Sequence, residues 1–220
     1  MYTFYPKYWI SPQRLSNMSK HDSTFLDVTS THPRPTPTVP NPTFSAPGHA
    51  IIDAPIEDVY DALLDLDSYR EWNTFVTNAT VTKPAVGQAN TTRMQTGTHF
   101  NLRVKMNEKA SLQLSKELCI SAEPVKKSSE ADPTPTTTVR WVMDSAGTFP
   151  LLSYLLQAEH VNELTDLGDG RTDYTHWESF GGVVSYAVKW FAGDDLARHF
   201  RSWPGDLKAY VEKKQNAVAT

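Results

Sequence analysis

The sequence predicts an α+β fold in which one curved antiparallel sheet of six to seven strands wraps around a long C-terminal helix, with two short helices after the first strand. Two observations support this prediction. Segments with strand composition follow a short helix and are joined by turns or polar loops rather than by long helices, which favours antiparallel pairing. After Gly181 and Gly182 the apolar spacing changes to that of one face of a long helix.

The first elements follow from residues 49–73. A short extended run at 49–53 precedes Pro55 and two acidic residues, and proline with acids in a first turn marks a helix start. Apolar residues recur at helical spacing to about residue 66. A short turn or helix is expected over 68–73. The later strands are predicted at 75–82, 99–106, 116–125, 138–144, 158–165 and 172–180.

The predicted C-terminal helix carries one apolar face that is expected to pack on the sheet. Its residues are Tyr186, Trp190, Leu196, Phe200, Trp203, Leu207 and Tyr210. Pro204 removes a backbone donor, so the helix is expected to kink or restart near Ser202. Alternation places Phe100, Leu102, Val104, Leu118, Ile120 and Trp141 on the concave face of the sheet. A sheet that curves around one helix leaves a hollow in which a ligand would bind.

The first 43 residues are predicted to be a disordered tail, and the folded domain is predicted to span residues 44–216. Eight of the 15 prolines precede Gly48, and residues 23–42 are mostly Ser, Thr and Pro. Such a composition buries too little apolar surface to offset the entropy of the chain. A spacer role is expected for this tail, and a proline-rich docking segment for a partner is the alternative.

Charge and cysteine content exclude several classes of function. The chain has 21 basic and 25 acidic residues, so no basic excess is available to bind a nucleic-acid backbone. Cys119 is the only cysteine, which excludes an intrachain disulfide and a thiolate-held zinc or iron–sulfur site. No apolar run is long enough to span a membrane. A cytoplasmic location is predicted, and mitochondrial import, suggested by three basic and no acidic residues in positions 1–20, is the alternative.

Three blocks of residues resemble the SRPBCC superfamily, which includes START, Bet v 1-like and polyketide cyclase/dehydrase-like proteins. Residues 54–60 and 66–73 resemble its entry, in which a small residue, a proline and a helix precede Asp-x-x-x-Tyr-x-x-Trp-Asn. Residues 170–181 resemble its Gly-x-Thr to Glu-x-x-x-Gly strand, and residues 207–212 form the third block, near the end of the chain. The resemblance covers residues 44–215 and implies the helix-grip fold. Thr74 stands where many relatives have proline, and the N-terminal tail has no counterpart in the family pattern.

The last two predicted strands bring polar side chains together. Alternation turns one set in the last strand to the same face, namely Thr172, Tyr174, His176, Glu178 and Phe180. The resemblance implies that this face is turned to the cavity. In the preceding strand His160 and Asn162 share a face, and a hairpin that pairs His160 with Glu178 and Asn162 with His176 would join the two sets.

His176, Glu178 and His160 are the predicted catalytic residues, because burial and mutual contact move the pKa values of acid and base groups toward neutrality. Tyr174 and Asn162 would bind and orient the ligand. The alternative is that these groups satisfy one another for structural reasons. Two histidines and a carboxylate also fit a facial metal triad. Helix-grip oxygenases with such triads need a Rieske centre whose cysteines this chain lacks, so neither a metal nor a cofactor is predicted.

Five further residues are predicted to contact the ligand. They are Trp72 and Asn73, which the resemblance implies are at the cavity mouth, Trp141 on the concave face, and Tyr186 and Trp190 on the long helix. Each has a structural alternative. Trp72 and Asn73 would pin the short helix to the sheet, and an aromatic stripe on a helix also suits a core.

The resemblance implies a protein that encloses a hydrophobic or aromatic small molecule and acts on it as a cyclase, dehydratase or isomerase of polyketide-type or other secondary metabolism. The alternative is a carrier that binds a lipid, sterol or quinone and leaves it unchanged. A third class is a protein-interaction module of the co-chaperone kind. Neither a nucleic-acid partner nor a membrane span is expected, and the identity of the ligand and the oligomeric state stay open.

Overall fold

The computed structural model describes residues 27–88, 91–107, 110–144 and 155–218, which form a seven-stranded antiparallel sheet around a long C-terminal helix. The strands are β1 (Phe44–Ile52), β2 (Val76–Lys83), β3 (His99–Val104), β4 (Gln113–Ala122), β5 (Thr136–Met143), β6 (Gln157–Asp166) and β7 (Thr172–Gly181). Their order across the sheet is β1-β7-β6-β5-β4-β3-β2, so the first and last strands are neighbours. The predicted fold class is confirmed.

The helices between β1 and β2 are short. They are α1 (Ile56–Leu64) and α2 (Tyr69–Trp72), with a 3₁₀ turn at Leu66–Ser68 between them. Pro55 precedes α1 with φ −59°, and Glu57 and Asp58 lie in its first turn, where the positive end of the helix dipole favours acids. The apolar face of α1 is buried in the core. The two short helices predicted after the first strand are confirmed.

The C-terminal helix α3 (Ser185–Val218) has 34 residues and packs mainly against β1, α1 and β7. Pro204 lies inside it, and the helix continues on both sides of this proline. The helix therefore does not restart near Ser202, and the alternative of a kink there stays a prediction. Among the helices of the described residues, none is both long and apolar enough to cross a membrane.

Residues 27–43, called the strap here, pack against the outer face of β1, β6 and β7. Thr38 donates two hydrogen bonds, of 2.8 Å from its backbone N–H and 2.6 Å from its hydroxyl, to the buried Glu159 carboxylate. The Val39 side chain is 1% exposed and covers Gly181. The predicted boundary at residue 43 is thus too late. Composition did not predict this packing, because hydrogen bonds from hydroxyl and backbone groups, more than buried apolar surface, hold the strap on the sheet. Residues 1–26 of the predicted tail lie outside the described residues.

The side chains of β4 point opposite to the sequence prediction. Glu117 and Cys119 are buried on the concave side, whereas Leu118 and Ile120 are half-buried on the outer side. The pairing with β3 sets this orientation, because Phe100 lies opposite Glu117 and is itself 1% exposed on the inside. The predicted assignment of Leu118 and Ile120 to the concave face is wrong, since apolar alternation in this strand follows the outer face.

The concave face of the sheet has two unlike ends along β7. At the packed end, around Tyr174 and His176, aromatic side chains from α3 fill the space: the rings of His176 and Phe200 stack with centroids 5.3 Å apart. Trp203 packs beside them, 5.5 Å from the His176 ring centroid. At the hollow end, around Glu178 and Phe180, a space remains between the sheet and the first half of α3.

Candidate functional site

A cavity of about 480 Å³ occupies the hollow end of the concave face. Its wall is mainly apolar and includes Leu102, Val104, Trp141, Met143, Ala158 and Phe180 from the sheet and Val188, Ala192, Leu196, Phe200 and Trp203 from α3. Leu114 and Phe191 also line it, although they are 54% and 83% exposed, so these two residues mark its mouth. The volume lies within the range of sites that enclose a small organic molecule.

Three ionisable side chains line this apolar cavity: Glu117 from β4, His160 from β6 and Glu178 from β7. His160 lies directly opposite Glu178 in the β6–β7 pairing, and Asn162 lies opposite His176, so the predicted register of this hairpin is confirmed. Among the described residues that line the cavity, none is Lys or Arg. The described wall of the cavity therefore presents carboxyl groups and an imidazole but no Lys or Arg side chain.

His160, His176 and the Phe200 carbonyl form a chain of hydrogen bonds. The carbonyl at its end determines which ring nitrogen of each histidine carries the proton. His176 Nε2 lies 2.8 Å from the backbone oxygen of Phe200, which can only accept, so Nε2 carries the proton. The neutral ring of His176 must then accept at Nδ1, which lies 2.8 Å from His160 Nε2. His160 therefore donates from Nε2, and its Nδ1 is the ring nitrogen that holds the lone pair.

Pro204 explains why the Phe200 carbonyl is available to His176. In a regular α-helix the backbone N–H of residue 204 would bond to the oxygen of residue 200, and proline has no N–H. His176 supplies the missing donor from the sheet. Gly48 of β1 lies opposite His176 in the β1–β7 pairing, and a Cβ at this position would lie 2.0 Å from the Phe200 oxygen. This glycine therefore allows α3 to approach the sheet.

Burial governs the protonation of both histidines. Removal from water disfavours the charged form and lowers the pKa of His176 to about 3. Burial, followed by repulsion from a protonated His176, lowers the pKa of His160 well below its usual range. Both rings are therefore neutral near pH 7, in agreement with the hydrogen-bond chain.

Burial acts in the opposite direction on the two carboxyl groups. It raises the pKa of Glu117 to about 7, a nearby Asp144 adds to the effect, and a hydrogen bond from Ser115 opposes it. Burial and the charge of Glu117 raise the pKa of Glu178 well above its usual range. Glu178 is partly exposed, but the space that it faces is the cavity. The site thus combines a carboxylic acid in the protonated form with a neutral imidazole that can accept a proton.

Of the predicted catalytic residues, the structure places His160 and Glu178 at the cavity wall and His176 behind His160. Among the predicted ligand contacts, Trp141 lines the cavity, with its ring centroid 4.2 Å from that of His160. Tyr174 and Asn162 belong to the packed end, where the Tyr174 hydroxyl donates a 2.7 Å hydrogen bond to Asn162 Oδ1. Both side chains are buried away from the cavity lining.

Trp72 and Asn73 also lie outside the cavity lining. Trp72 is 7% exposed, packs against Trp203 and donates from Nε1 to the Ser68 hydroxyl. Asn73 Oδ1 accepts hydrogen bonds from the backbone N–H groups of residues 75 and 76 and so fixes the start of β2. These contacts match the structural alternative, in which the two residues pin α2 to the sheet.

Tyr186 and Trp190 do not face the sheet as the sequence predicted. They are 68% and 85% exposed, and neither lines the cavity. The predicted apolar face of α3 does not meet the sheet over its whole length, because the helix contacts the sheet closely only from about Leu196 onward. Before that point, small residues such as Ala187 and Ala192 face the hollow end. Phe200 and Trp203, further along the same stripe, are buried as predicted.

Glu117 is the ionisable cavity residue that the sequence did not reveal. It lies between two apolar residues in a strand whose inward face was assigned to Leu118 and Ile120. The available signal was its partner strand, in which inward Phe100 and Leu102 require Glu117 and Ser115 opposite them to face inward as well.

Two comparisons of sequence agree with this architecture. A family model described as "Polyketide cyclase / dehydrase and lipid transport" matches residues 52–156. The "Oxopyrrolidines biosynthesis cluster protein O" of Penicillium oxalicum (strain 114-2 / CGMCC 5302) is 31% identical over 171 residues, which cover 74% of this chain and 83% of that protein.

Solved structures show the same fold at low sequence identity. A hypothetical protein from Helicobacter pylori superposes with a TM-score of 0.54 at 15% identity and covers 76% of this chain and 87% of its own. A START superfamily protein from Mycobacterium smegmatis superposes with a TM-score of 0.50 at 15% identity and covers 77% and 97%. At such identities the likeness concerns the fold.

Proposed function

Because the chain belongs to the polyketide cyclase/dehydrase and lipid transport family of the SRPBCC superfamily, we propose that its cavity holds a hydrophobic or aromatic small molecule on which the protein acts by proton transfer, as a cyclase, dehydratase or isomerase. One observation carries this proposal. A neutral imidazole and a protonated carboxyl group stand at paired positions of neighbouring strands, on the wall of the same apolar cavity.

In this proposal His160 is the base and Glu178 the acid. His160 keeps its Nε2 proton in the bond to His176, so Nδ1 is the atom that accepts a proton. His176 is a positioning residue, since it fixes the tautomer of His160 and is itself held by the Phe200 carbonyl. Transfer to one group and from the other in the same step keeps the net charge of the cavity constant, which matters because an isolated charge is costly there.

For a β-hydroxy ketone the step is a dehydration. His160 Nδ1 takes the proton from the carbon next to the carbonyl, the C–H electron pair forms the new C=C bond, and the hydroxyl leaves as water with the proton of Glu178. The proton on His160 then returns to the Glu178 carboxylate, so both groups recover their starting state. A ring closure or a double-bond shift would use the same two proton transfers. The biosynthetic cluster in the name of the Penicillium relative supports secondary metabolism as the setting.

The test uses the aldol adduct of benzaldehyde and acetone, a small aromatic β-hydroxy ketone whose dehydration product, benzylideneacetone, is followed by its ultraviolet absorbance. We expect the wild type to accelerate dehydration, and His160→Gln and Glu178→Gln each to lower the rate by about 100-fold. Calorimetric affinity for the non-dehydrating benzylacetone should change by less than about 3-fold in both variants.

His49→Gln and Glu71→Gln are the matched controls, because these two residues lie outside the cavity lining. Both should keep the wild-type rate. Binding of the adduct by the wild type without any conversion would contradict proton-transfer chemistry and favour the alternative of a carrier. Native mass spectrometry of the purified protein adds a second readout, because a lipid, sterol or quinone that co-purifies and is released unchanged would also contradict the proposal.

A further inference from the structure

Glu117 is a buried carboxyl group that takes no part in the proposed proton transfer. Its side chain lines the cavity and is 4% exposed, and in the sheet it lies opposite Phe100 on one side and Met143 on the other. Burying a carboxyl group in such surroundings is unfavourable unless both oxygens find partners. The contacts of the two oxygens therefore indicate what the residue is for.

The two oxygens of Glu117 differ. Oε1 accepts a hydrogen bond of 2.5 Å from the Ser115 hydroxyl, which lies two residues earlier on the same face of β4. Oε2 is buried and has no hydrogen-bond partner among the described residues. A buried polar atom without a protein partner at a cavity wall is where a ligand atom would complete the hydrogen bonding.

The charges around Glu117 determine which ligand atom suits it. Glu178 and Asp144 are both close enough to disfavour a negative charge on Glu117. The described cavity lining supplies no Lys or Arg, and its one histidine, His160, is neutral. Glu117 is therefore a hydrogen-bond donor through Oε2–H over most of the range below neutral pH, and a donor needs an acceptor such as a carbonyl oxygen.

Building on the proposed function, we infer that Glu117 is the ligand-recognition residue of this cavity, in which Oε2–H donates a hydrogen bond to a carbonyl oxygen of an uncharged hydrophobic molecule. A free carboxylic acid would enter as an anion and add a negative charge beside the three acidic groups Glu117, Glu178 and Asp144. An amine would enter as a cation and would require two ions to be desolvated in an apolar cavity, which costs more than a neutral pair. The cavity thus selects ketones, esters or amides over fatty acids and amines.

Three naphthalene probes of similar size separate these classes: acetonaphthone is neutral, naphthoate is an anion and aminomethylnaphthalene is a cation. Isothermal titration calorimetry near pH 6.5 should show acetonaphthone binding at least about 10-fold more tightly than either ion. Glu117→Gln keeps a donor and should retain the acetonaphthone affinity within about 3-fold, whereas Glu117→Met should lose about 10-fold. Glu71→Met, at the surface, is the matched control and should bind like the wild type.

Raising the pH provides a second readout. The acetonaphthone affinity of the wild type should fall as Glu117 loses its proton above about pH 7, and that of Glu117→Gln should stay constant. Equal or tighter binding of naphthoate or of the amine, or unchanged binding by Glu117→Met, would overturn the inference. These binding measurements involve no turnover. If the wild type binds acetonaphthone as expected but does not dehydrate the β-hydroxy ketone, the proposed function is refuted and the role of Glu117 in recognition is not.

Discussion

The packed end and the hollow end of the concave face come from the same strands, yet they use polar side chains differently. At the packed end, Tyr174 donates to Asn162 and His176 donates to the Phe200 carbonyl, so both donors have partners within the protein. At the hollow end, Glu117 Oε2 has no partner among the described residues. The difference follows the position of α3: next to the helix, Tyr174 and His176 bond within the protein, and where a space separates helix and sheet, Glu117 Oε2 is left for the carbonyl oxygen that we propose as its partner.

The packed end should be the more sensitive of the two to added volume. A methyl group at Gly48 would lie 2.0 Å from the Phe200 oxygen and 2.7 Å from His176 Nε2, so α3 would have to move away from the sheet. We expect Gly48→Ala to lower the free energy of unfolding by about 3 kcal/mol, measured by urea denaturation.

Gly205 of α3 provides the matched control. Apart from the two neighbouring residues and the nearby backbone of the helix itself, no atom lies within 4 Å of a Cβ at this position. Because alanine favours a helix, Gly205→Ala should raise the free energy of unfolding by about 0.5–1 kcal/mol. A Gly48→Ala protein as stable as the wild type would mean that close contact between α3 and the sheet does not define the packed end.

Much of the fold could be predicted because its signals are local. Pro55 with two acids marks α1, turns between strands indicate antiparallel pairing, and the glycines before α3 mark the change of period. The strap could not be predicted, because its anchor is the buried Glu159 carboxylate, more than a hundred residues away in the chain, and no local pattern reveals such a partner.

The candidate site was only partly predictable for a related reason. Alternation and hairpin pairing placed His160 opposite Glu178, since both follow from the period of a strand. The period of a strand does not predict whether an inward side chain reaches the cavity. His176 and Glu178 share a face of β7, but the position of α3 buries His176 behind His160 and leaves Glu178 at the cavity wall. Glu117 was missed because the outer face of β4 is the more apolar one in sequence.

Glu117 at the hollow end and His176 at the packed end should respond to pH in opposite directions. Glu117 has a pKa raised from 4.5 to about 7, so the stabilisation that it gives below pH 4.5 is lost as the pH rises to about 7. Glu117→Gln cannot titrate. Relative to the wild type, its free energy of unfolding should therefore increase, by on the order of 2 kcal/mol, between about pH 5 and about pH 8 in urea denaturation.

His176→Phe should show the opposite dependence of stability on pH. The pKa of His176 is lowered from 6.5 to about 3, so the stabilisation present above pH 6.5 is lost as the pH falls toward 3. Relative to the wild type, His176→Phe should therefore gain stability on acidification. Glu71→Gln, an exposed carboxylate, controls for general charge effects. A pH-independent difference between Glu117→Gln and the wild type would show that the hollow end does not bury a titrating carboxyl group.

The smallest effect concerns the bond that joins the packed end to α3. In His176→Phe the Phe200 carbonyl loses its donor from the sheet, and Pro204 cannot supply one from the helix. Pro204→Ala restores a backbone N–H, so it should stabilise the His176→Phe protein more than it stabilises the wild type, in which His176 already occupies this acceptor. The difference should be about 1 kcal/mol, the net value of one hydrogen bond, in a double-mutant cycle by urea denaturation. Equal stabilisation of both backgrounds would mean that His176 and residue 204 do not compete for the Phe200 oxygen, and the packed end would then rest on ring stacking rather than on this bond.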